Sequence, residues 1–123
     1  MNVLAEKLDA LWRVAVKLRD GRCCICGAWD AALEAHHSII RRSSIATRWA
    51  MNNGLTLCWK CHAHVHSGGL KSALQAAMDR VCSREDQDAI RRAGHMIFKP
   101  GQDWFENQVE NIKNIIKSYK KES

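Results

Sequence analysis

The chain has 123 residues and a formal net charge of +6, from 19 Lys and Arg against 13 Asp and Glu. This length predicts one small domain, and 46% hydrophobic with 26% charged residues excludes an intrinsically disordered chain. The basic balance, with a pI near 9.2, favours a polyanionic partner such as nucleic acid, although a basic protein without such a partner would carry the same charge.

The cysteine content bears on the cellular compartment. Six cysteines would suit disulfides in a secreted chain, but the first 20 residues carry charged side chains where a signal peptide needs an apolar run. The sequence also lacks the run of about 18 apolar residues that a membrane span requires. We therefore expect a cytoplasmic protein without a membrane partner, in which Cys-x-x-Cys pairs indicate zinc rather than disulfides.

The first predicted element is a helix over residues 3–19. Apolar side chains recur there at the spacing of one helical face: Leu4, Leu8, Leu11, Ala15 and Leu18. Asp20-Gly21 ends this helix, because glycine readily takes the left-handed conformation of a helix C-terminus.

Two Cys-x-x-Cys motifs supply the four thiolates of a tetrahedral zinc site: Cys23, Cys26, Cys58 and Cys61. A closed site of this kind has no open position for a substrate, so its role is structural. Cys24-x-Cys26 is also present, but the two-residue gap favours Cys23, and Cys24 and Cys82 are then small buried apolar side chains. A dithiol redox centre is the alternative, and the sequence around the motifs lacks its strand and helix context.

A β-hairpin is predicted between the two motifs. Residues 32–40 have few helix signals and a β-branched end, which predicts a strand with His36 and His37 on opposite faces. Gly54–Leu57 is predicted as the second strand, leading into Cys58. The intervening loop is basic.

Three histidines have the spacing of a second metal site. His62 and His66 lie one turn apart on a predicted helix, so both can reach the ion that His36 approaches from the strand. Three neutral nitrogen ligands leave positions open for water or phosphate. His37, with an ordinary pKa of about 6.5, suits a general base. His64 points about 200° away from His62 and is left out, although an irregular helix would let it replace His66.

The C-terminal half is predicted to be helical. Helices are expected from Leu70 to Val81 and from Glu85 to Arg92. After Pro100-Gly101, Asp103 and Glu106 resemble a capping box. The last helix then carries one apolar stripe: Phe105, Val109, Ile112, Ile116 and Tyr119. The stripes of the first and last helices fit either a core or the seam of a homodimer.

These motifs resemble the HNH endonuclease family, whose ββα-metal motif has a His or Asp followed by the base His, then Asn, then a helix with the last ligands. The matching segments are Leu33–His37, Asn53–His62 and His66–Gly68, in the variant braced by two Cys-x-x-Cys motifs. The resemblance implies an α+β fold in a single domain, 1–123, with a small ββα-metal (His-Me finger) core at 21–68. An N-terminal helix, 1–20, and a helical extension, 69–123, flank it.

The resemblance also implies roles for single residues. His36, His62 and His66 are the implied metal ligands, His37 the implied base, and Asn53, rather than the less well-spaced Asn52, the residue that orients the catalytic loop. The implied reaction is hydrolysis of DNA phosphodiester bonds, with the metal stabilising charge on the phosphate and the departing 3′ oxygen. Many members have Asp at the position of His36, and nitrogen shifts preference from Mg²⁺ toward Zn²⁺, Ni²⁺, Co²⁺ or Mn²⁺.

The flanking parts resemble, more loosely, phage recombination endonucleases of the NinG (Rap) type, which have a helical, lysine-rich tail. Their residues after the second Cys-x-x-Cys are arranged differently, so the resemblance implies DNA processing or recombination in the cytoplasm of a phage host only in outline. Arg41, Arg42 and Arg48 are expected to contact phosphates. Trp29, Trp49 and Trp59 could stack on bases, but we expect them to cover the cysteine motifs and the core.

Two rival hypotheses remain at the level of sequence. A non-catalytic zinc-ribbon DNA-binding protein would need only the cysteines and the basic surface. An RNA-directed nuclease would differ from the DNA endonuclease only in its substrate. Replacing His37 separates the binder from the enzyme, because only the enzyme would lose activity with DNA affinity retained.

Overall fold

A computed structural model of the protein describes residues 2–122, which form an α+β fold and confirm the predicted class. Within these residues the order of elements is α1 (Val3–Asp20), β1 (Leu33–His37), β2 (Gly54–Cys58), α2 (Trp59–His66), α3 (Lys71–Val81), α4 (Arg84–Gly94) and α5 (Gln102–Glu122). A short 3₁₀ turn, Met51–Asn53, precedes β2. None of these helices is long and apolar enough to cross a membrane.

Helix α1 begins and ends where the sequence predicts. The side chain of Asn2 accepts a hydrogen bond from the backbone N–H of Leu4 at 2.9 Å, which caps the N-terminus. Gly21 has a φ of 71° and donates its N–H to the carbonyl of Lys17, which closes the C-terminus.

The buried face of α1 differs from the predicted stripe. Leu8 and Ala15 are buried as expected, but Leu18 is exposed, and Trp12 and Val16 are buried instead. Helix α1 packs Trp12 and Val16 against β2, where Gly54 has no side chain to obstruct them. A Cβ at Gly54 would lie only 2.5 Å from Cγ2 of Val16 and 2.7 Å from Cζ2 of Trp12.

Two hydrophobic clusters support the fold. In the first, Val109, Ile112 and Ile116 of α5 pack against α1, so the stripes of both helices contribute to the core of the chain. In the second, Leu55 and Leu57 of β2 pack with the cysteine motifs and α3. The sheet therefore lies between a helical pair on one side and the cysteines on the other.

The predicted hairpin forms, with β1 antiparallel to β2. Its register pairs Leu33 with Cys58 and His37 with Gly54. Strand β1 ends at His37, although the sequence predicts a strand to residue 40. The reason is Asn53, whose side chain binds the backbone of Ile39 and Ile40 and so turns the chain away from the sheet.

The C-terminal helices are present, with one local correction. Helix α5 begins at Gln102, so Asp103 lies inside its first turn rather than at the N-cap, and the predicted capping box is wrong. Gln102 instead donates a side-chain hydrogen bond to Glu106 at 3.4 Å. The polar pair therefore predicted the correct helix, but with a start two residues too late.

Candidate metal centres

The four cysteines of the two motifs converge beside the hairpin, and we call them the thiol cluster. The sulfur atoms of Cys23, Cys26, Cys58 and Cys61 all lie within 4.8 Å of one another. Those of Cys26 and Cys58 are 3.6 Å apart. Zn–S bonds of about 2.3 Å place two sulfurs of a tetrahedral site about 3.8 Å apart. The thiol cluster can therefore hold a structural metal ion such as zinc.

Local turns bring these sulfur atoms together. The backbone N–H of Cys26 points at the sulfur of Cys23, and that of Cys61 at the sulfur of Cys58, both at 3.5 Å. Gly27 permits the first turn with a φ of 80°. Cys24, whose N–H instead pairs with the carbonyl of Thr56, lies outside the cluster, which decides between the two spacings in favour of Cys23.

The thiols of the cluster ionise unequally. Burial raises the pKa of Cys23, but backbone N–H groups of Cys26, Cys58 and Ile25 outweigh it and lower the pKa to about 6. Burial and the neighbouring thiols raise the pKa of Cys61. Cys23 therefore ionises readily, whereas ionisation of Cys61 is opposed, because adjacent negative charges repel one another. A bound cation would relieve that repulsion and displace the remaining protons.

A second cluster, the imidazole cluster, joins β1 to α2. The ligand nitrogens of His36, His62 and His66 lie within 4.8 Å of one another, and the Nε2 atoms of His62 and His66 are 3.0 Å apart. This is the predicted trio. His64 is exposed and, among the described residues, lies outside the cluster, so the regular helix α2 favours His66 over it.

Glu34 is a site residue that the sequence reasoning missed. Its carboxylate, on strand β1, forms a hydrogen bond with Nδ1 of His62 on helix α2. Nδ1 must therefore carry the proton, which leaves the lone pair of Nε2 directed at the cluster. Glu34 and His36 are two residues apart on β1 and share one face, and that alternation is the signal that would have identified it.

Within the imidazole cluster, His36 is a neutral nitrogen donor. Burial, followed by the nearness of His62, His66 and His37, lowers the pKa of His36 to about 4. His36 is therefore uncharged at neutral pH and its lone pair is free to bind a cation. The three imidazole nitrogens of the cluster fit a borderline metal ion, with coordination positions left for oxygen ligands.

His37 faces away from the cluster and is held on two sides. Its ring stacks on Trp12, with centroids 4.2 Å apart and an interplanar angle of 14°. Its Nε2 lies 2.9 Å from the carbonyl of Arg48, so Nε2 carries the proton and Nδ1 is the free acceptor. Burial lowers the pKa of His37, although the Arg48 carbonyl opposes the shift, so the ring is neutral at pH 7.

Asn53 fixes the loop that follows the two histidines of β1. It is fully buried, and its Oδ1 accepts from the N–H groups of Ile39 and Ile40 at 3.0 and 2.9 Å. Its Nδ2 donates to the carbonyls of Ile40 and Thr47. Asn52, the rival position, is exposed. Asn53 is thus the one of the two that controls the loop geometry.

The imidazole cluster and His37 line one pocket of about 510 Å³, which we call the imidazole pocket. Its lining includes His36, His37, Arg41, Arg42, His62 and His66. A larger pocket, about 670 Å³, lies beside the thiol cluster. There the guanidinium of Arg19 already donates hydrogen bonds to Asp20 and to the backbone carbonyls of Met51 and Gly54.

The three arginines expected to contact DNA have different surroundings. Arg48 makes two hydrogen bonds to the buried carboxylate of Asp9, at 3.0 and 2.6 Å, and is mostly buried. Arg42 makes one such bond at 3.0 Å but its side chain is largely exposed, and Arg41 is exposed. A phosphate contact by Arg48 is therefore the least supported of the three, because its guanidinium already binds a carboxylate.

The tryptophans divide in the same way. Trp49 is buried, as predicted, and donates its Nε1–H to Asp9 at 2.9 Å. Trp29 and Trp59 are 76% and 54% exposed, so the prediction that they cover the cysteine motifs and the core is wrong for both. Leu55, Leu57 and smaller side chains fill that space instead. Cys24 and Cys82 are only partly buried.

The chain matches no family model, no curated protein and no solved structure. The fold and the clusters themselves define its class. It is an α+β protein in which four cysteines can hold a structural metal ion, beside three clustered histidines and a shared pocket.

Proposed function

We propose that the protein is a metal-dependent DNA endonuclease with a centre of the HNH type. The observation that carries the proposal is the juxtaposition of two chemistries on neighbouring residues of β1. His36 meets His62 and His66 within 4.8 Å, and His37 lines the same pocket from the other side. Hydrolysis of a phosphodiester needs these two groups, a metal site and a proton acceptor, side by side.

The donor set supports a divalent ion at the imidazole cluster. The separation of 3.0 Å between Nε2 of His62 and Nε2 of His66 suits two nitrogens that share one ion at bond lengths of about 2.1 Å. When bound, such an ion supplies Lewis-acid stabilisation of charge on the phosphate and the departing 3′ oxygen. All-nitrogen ligation favours Zn²⁺, Ni²⁺, Co²⁺ or Mn²⁺ over Mg²⁺.

The surroundings of His37 support its role as the general base. The Arg48 carbonyl holds the proton on Nε2, so Nδ1 is the atom that takes a proton from the attacking water. The stack on Trp12 fixes the plane of the ring. Because its pKa is lowered, His37 is unprotonated at neutral pH and ready to accept.

Two further groups complete the proposed centre. Arg41 and Arg42 stand at the rim of the pocket, where they orient the negatively charged DNA backbone. Asn53 holds the loop from which both arginines project, through its bonds to Ile39 and Ile40. We assign Arg48 a supporting part, because its own carbonyl contacts His37 while its side chain binds Asp9.

The test is plasmid cleavage with Mg²⁺, Mn²⁺, Co²⁺, Ni²⁺ and Zn²⁺ in turn. We expect nicked or linear plasmid with at least one ion, and loss of that product in His37→Ala and His62→Ala. His64→Ala is the matched control, since His64 is an exposed histidine of the same helix outside the cluster. Absence of product with every ion, or equal cutting by His37→Ala, would refute the proposal.

A second candidate, a zinc-ribbon DNA-binding protein without catalysis, is favoured by the thiol cluster and the net charge of +6. It predicts DNA affinity that falls with salt and does not depend on His37. Binding and cleavage measured on the same His37→Ala sample decide between the two. The same assays on a matched RNA duplex test the choice of substrate.

A further inference from the structure

The proposed centre leaves unexplained the loop between α4 and α5, which displays consecutive apolar side chains. Ile97 is 92% exposed and Met96 is 69% exposed. Burying an aliphatic side chain of this size stabilises a protein, and the folded chain forgoes that stabilisation at two adjacent positions. Because the two residues are consecutive, their exposed side chains form one small apolar tip on the loop.

The loop is held firmly at both ends. On one side, Ser44 donates to the carbonyl of Gly94 at 3.1 Å, and a Cβ at Gly94 would lie 2.6 Å from Cγ1 of Ile40. On the other side, Phe98 packs edge-on against Trp104, with ring centroids 5.1 Å apart. Met96 and Ile97 are therefore presented from a fixed base, and we call this pair the apolar wedge.

The wedge follows directly after His95, which lines a second pocket next to the imidazole pocket. A neighbouring pocket of about 420 Å³ is lined by Arg41, Arg91 and His95, the residue just before Met96. Arg41 also lines the imidazole pocket. The two pockets thus share Arg41, and the second of them includes the residue just before the wedge.

Charge around the wedge fits a polyanion. Helix α4 has acidic residues in its first turn and Arg91 and Arg92 in its last turn, and Lys99 follows the wedge. Asp88 pairs with Arg91 at 2.7 Å, while Arg92 and Lys99 are exposed. A stable protein interface buries roughly 800 Å² on each partner, more than two side chains amid cations provide. Cations flanking a small apolar tip are what wedge insertion into DNA requires.

We propose that Met96 and Ile97 enter the DNA base stack beside the position of cleavage, while Arg92 and Lys99 contact the adjacent phosphates. The inference rests on the proposed function and specifies its substrate class. Opening an intact base stack costs free energy, and the cost is smaller where base pairing is already broken. The preferred substrate is therefore DNA with a mismatch, nick or branch near the scissile phosphate.

The test uses His37→Ala protein, so that the DNA stays intact, and duplexes carrying 2-aminopurine next to a mismatch, a nick or a normal pair. Insertion raises 2-aminopurine fluorescence by unstacking it. We expect that rise, with affinity on the order of tenfold higher for the mismatched duplex than for the paired one. Ile97→Ser should lose both effects and Ile97→Leu should keep them. Val3→Ser, which removes an exposed β-branched side chain from α1, is the matched control.

Three results would overturn the inference. These are no fluorescence rise in the parent protein, an equal rise in Ile97→Ser, or conversion of a DNA-free dimer into a monomer by Ile97→Ser in sedimentation. The last would make the wedge a contact between copies of the chain. Plasmid cleavage without a fluorescence rise would support the nuclease and refute insertion by the wedge. A fluorescence rise without cleavage by the unaltered chain would support insertion and refute the nuclease.

Discussion

The ring of His37 lies flat on Trp12, 4.2 Å away, although 25 positions separate them in the chain. Gly54 makes this approach feasible, since it pairs with His37 in the sheet and has no side chain to hold Trp12 off. The indole also donates Nε1–H to the carbonyl of Ala50 at 3.1 Å. The proposed base is therefore anchored by the central side chain of α1.

Trp12→Leu should weaken both stability and cleavage. Loss of the large ring from the core is expected to lower the free energy of unfolding by about 3 kcal/mol. Loss of the stack frees the His37 ring, so kcat should fall at least about tenfold with DNA affinity nearly unchanged. Urea unfolding and single-turnover cleavage measure the two effects. Trp59→Leu, which removes an exposed indole, should change neither, and equal losses in both variants would contradict the assignment.

Asp9 makes stability depend on acid pH. Burial opposes its ionisation, but hydrogen bonds from Arg48, Trp49 and Arg42 outweigh burial and lower its pKa to about 2. Its unfolded pKa is about 3.9, so the ionised carboxylate contributes about 2 kcal/mol above pH 5, and this contribution is lost as pH falls from about 4 to 2.

Asp9→Asn isolates this contribution from that of other titrating groups. We expect the variant to be less stable than the original chain at pH 7, and the gap between them to narrow steadily as the pH falls below 4. Urea unfolding at pH 7, 4 and 3 measures the gap. A gap that stays constant or widens toward pH 3 would show that Asp9 is not the group responsible.

The thiol cluster should bind one zinc ion per chain. Cys58→Ser and Cys61→Ser are expected to lose that ion and several kcal/mol of stability, because zinc binding contributes to folding. Cys24→Ser and Cys82→Ser, which replace cysteines outside the cluster, should keep both. Elemental analysis of purified protein, combined with thermal unfolding, gives the answer. Full zinc content in Cys58→Ser would exclude the cluster as the zinc site.

Glu34→Gln should weaken metal binding at the imidazole cluster without unfolding the protein. Glu34 holds the proton on Nδ1 of His62, and partners of this kind typically change metal affinity by about 10–100-fold. Titration with Co²⁺, followed by its visible absorption, measures the affinity directly. Glu6→Gln on α1 is the control. An unchanged affinity in Glu34→Gln would mean that the carboxylate does not position His62.

Much of the candidate site could be predicted from the sequence, because short-range geometry fixes it. The spacing of Cys58 and Cys61 is that of a cysteine turn, and His62 and His66 are one helical turn apart. Strand alternation places His36 and His37 on opposite faces. These relations hold whatever the rest of the chain does.

Features that depend on distant partners were not predictable in this way. The burial of Asp9 depends on its hydrogen bonds with Arg48 and Trp49, which lie about 40 positions later in the chain. The exposure of Trp29 and Trp59 likewise depends on which other side chains occupy the core. The local spacing of residues gives no information on the partners of Asp9 or on the side chains that fill the core.

Helix α2 has eight residues and contains Cys61, His62 and His66, while Cys58 forms its N-cap. So short a helix is not stable by itself in water. A change that stiffens one end of α2 is therefore expected to affect the geometry at the other, and we expect metal binding at the two clusters to be thermodynamically linked. A cation on the sulfurs should tighten the grip of the imidazoles, and reciprocity requires that the imidazole-bound cation tighten the sulfurs by the same factor.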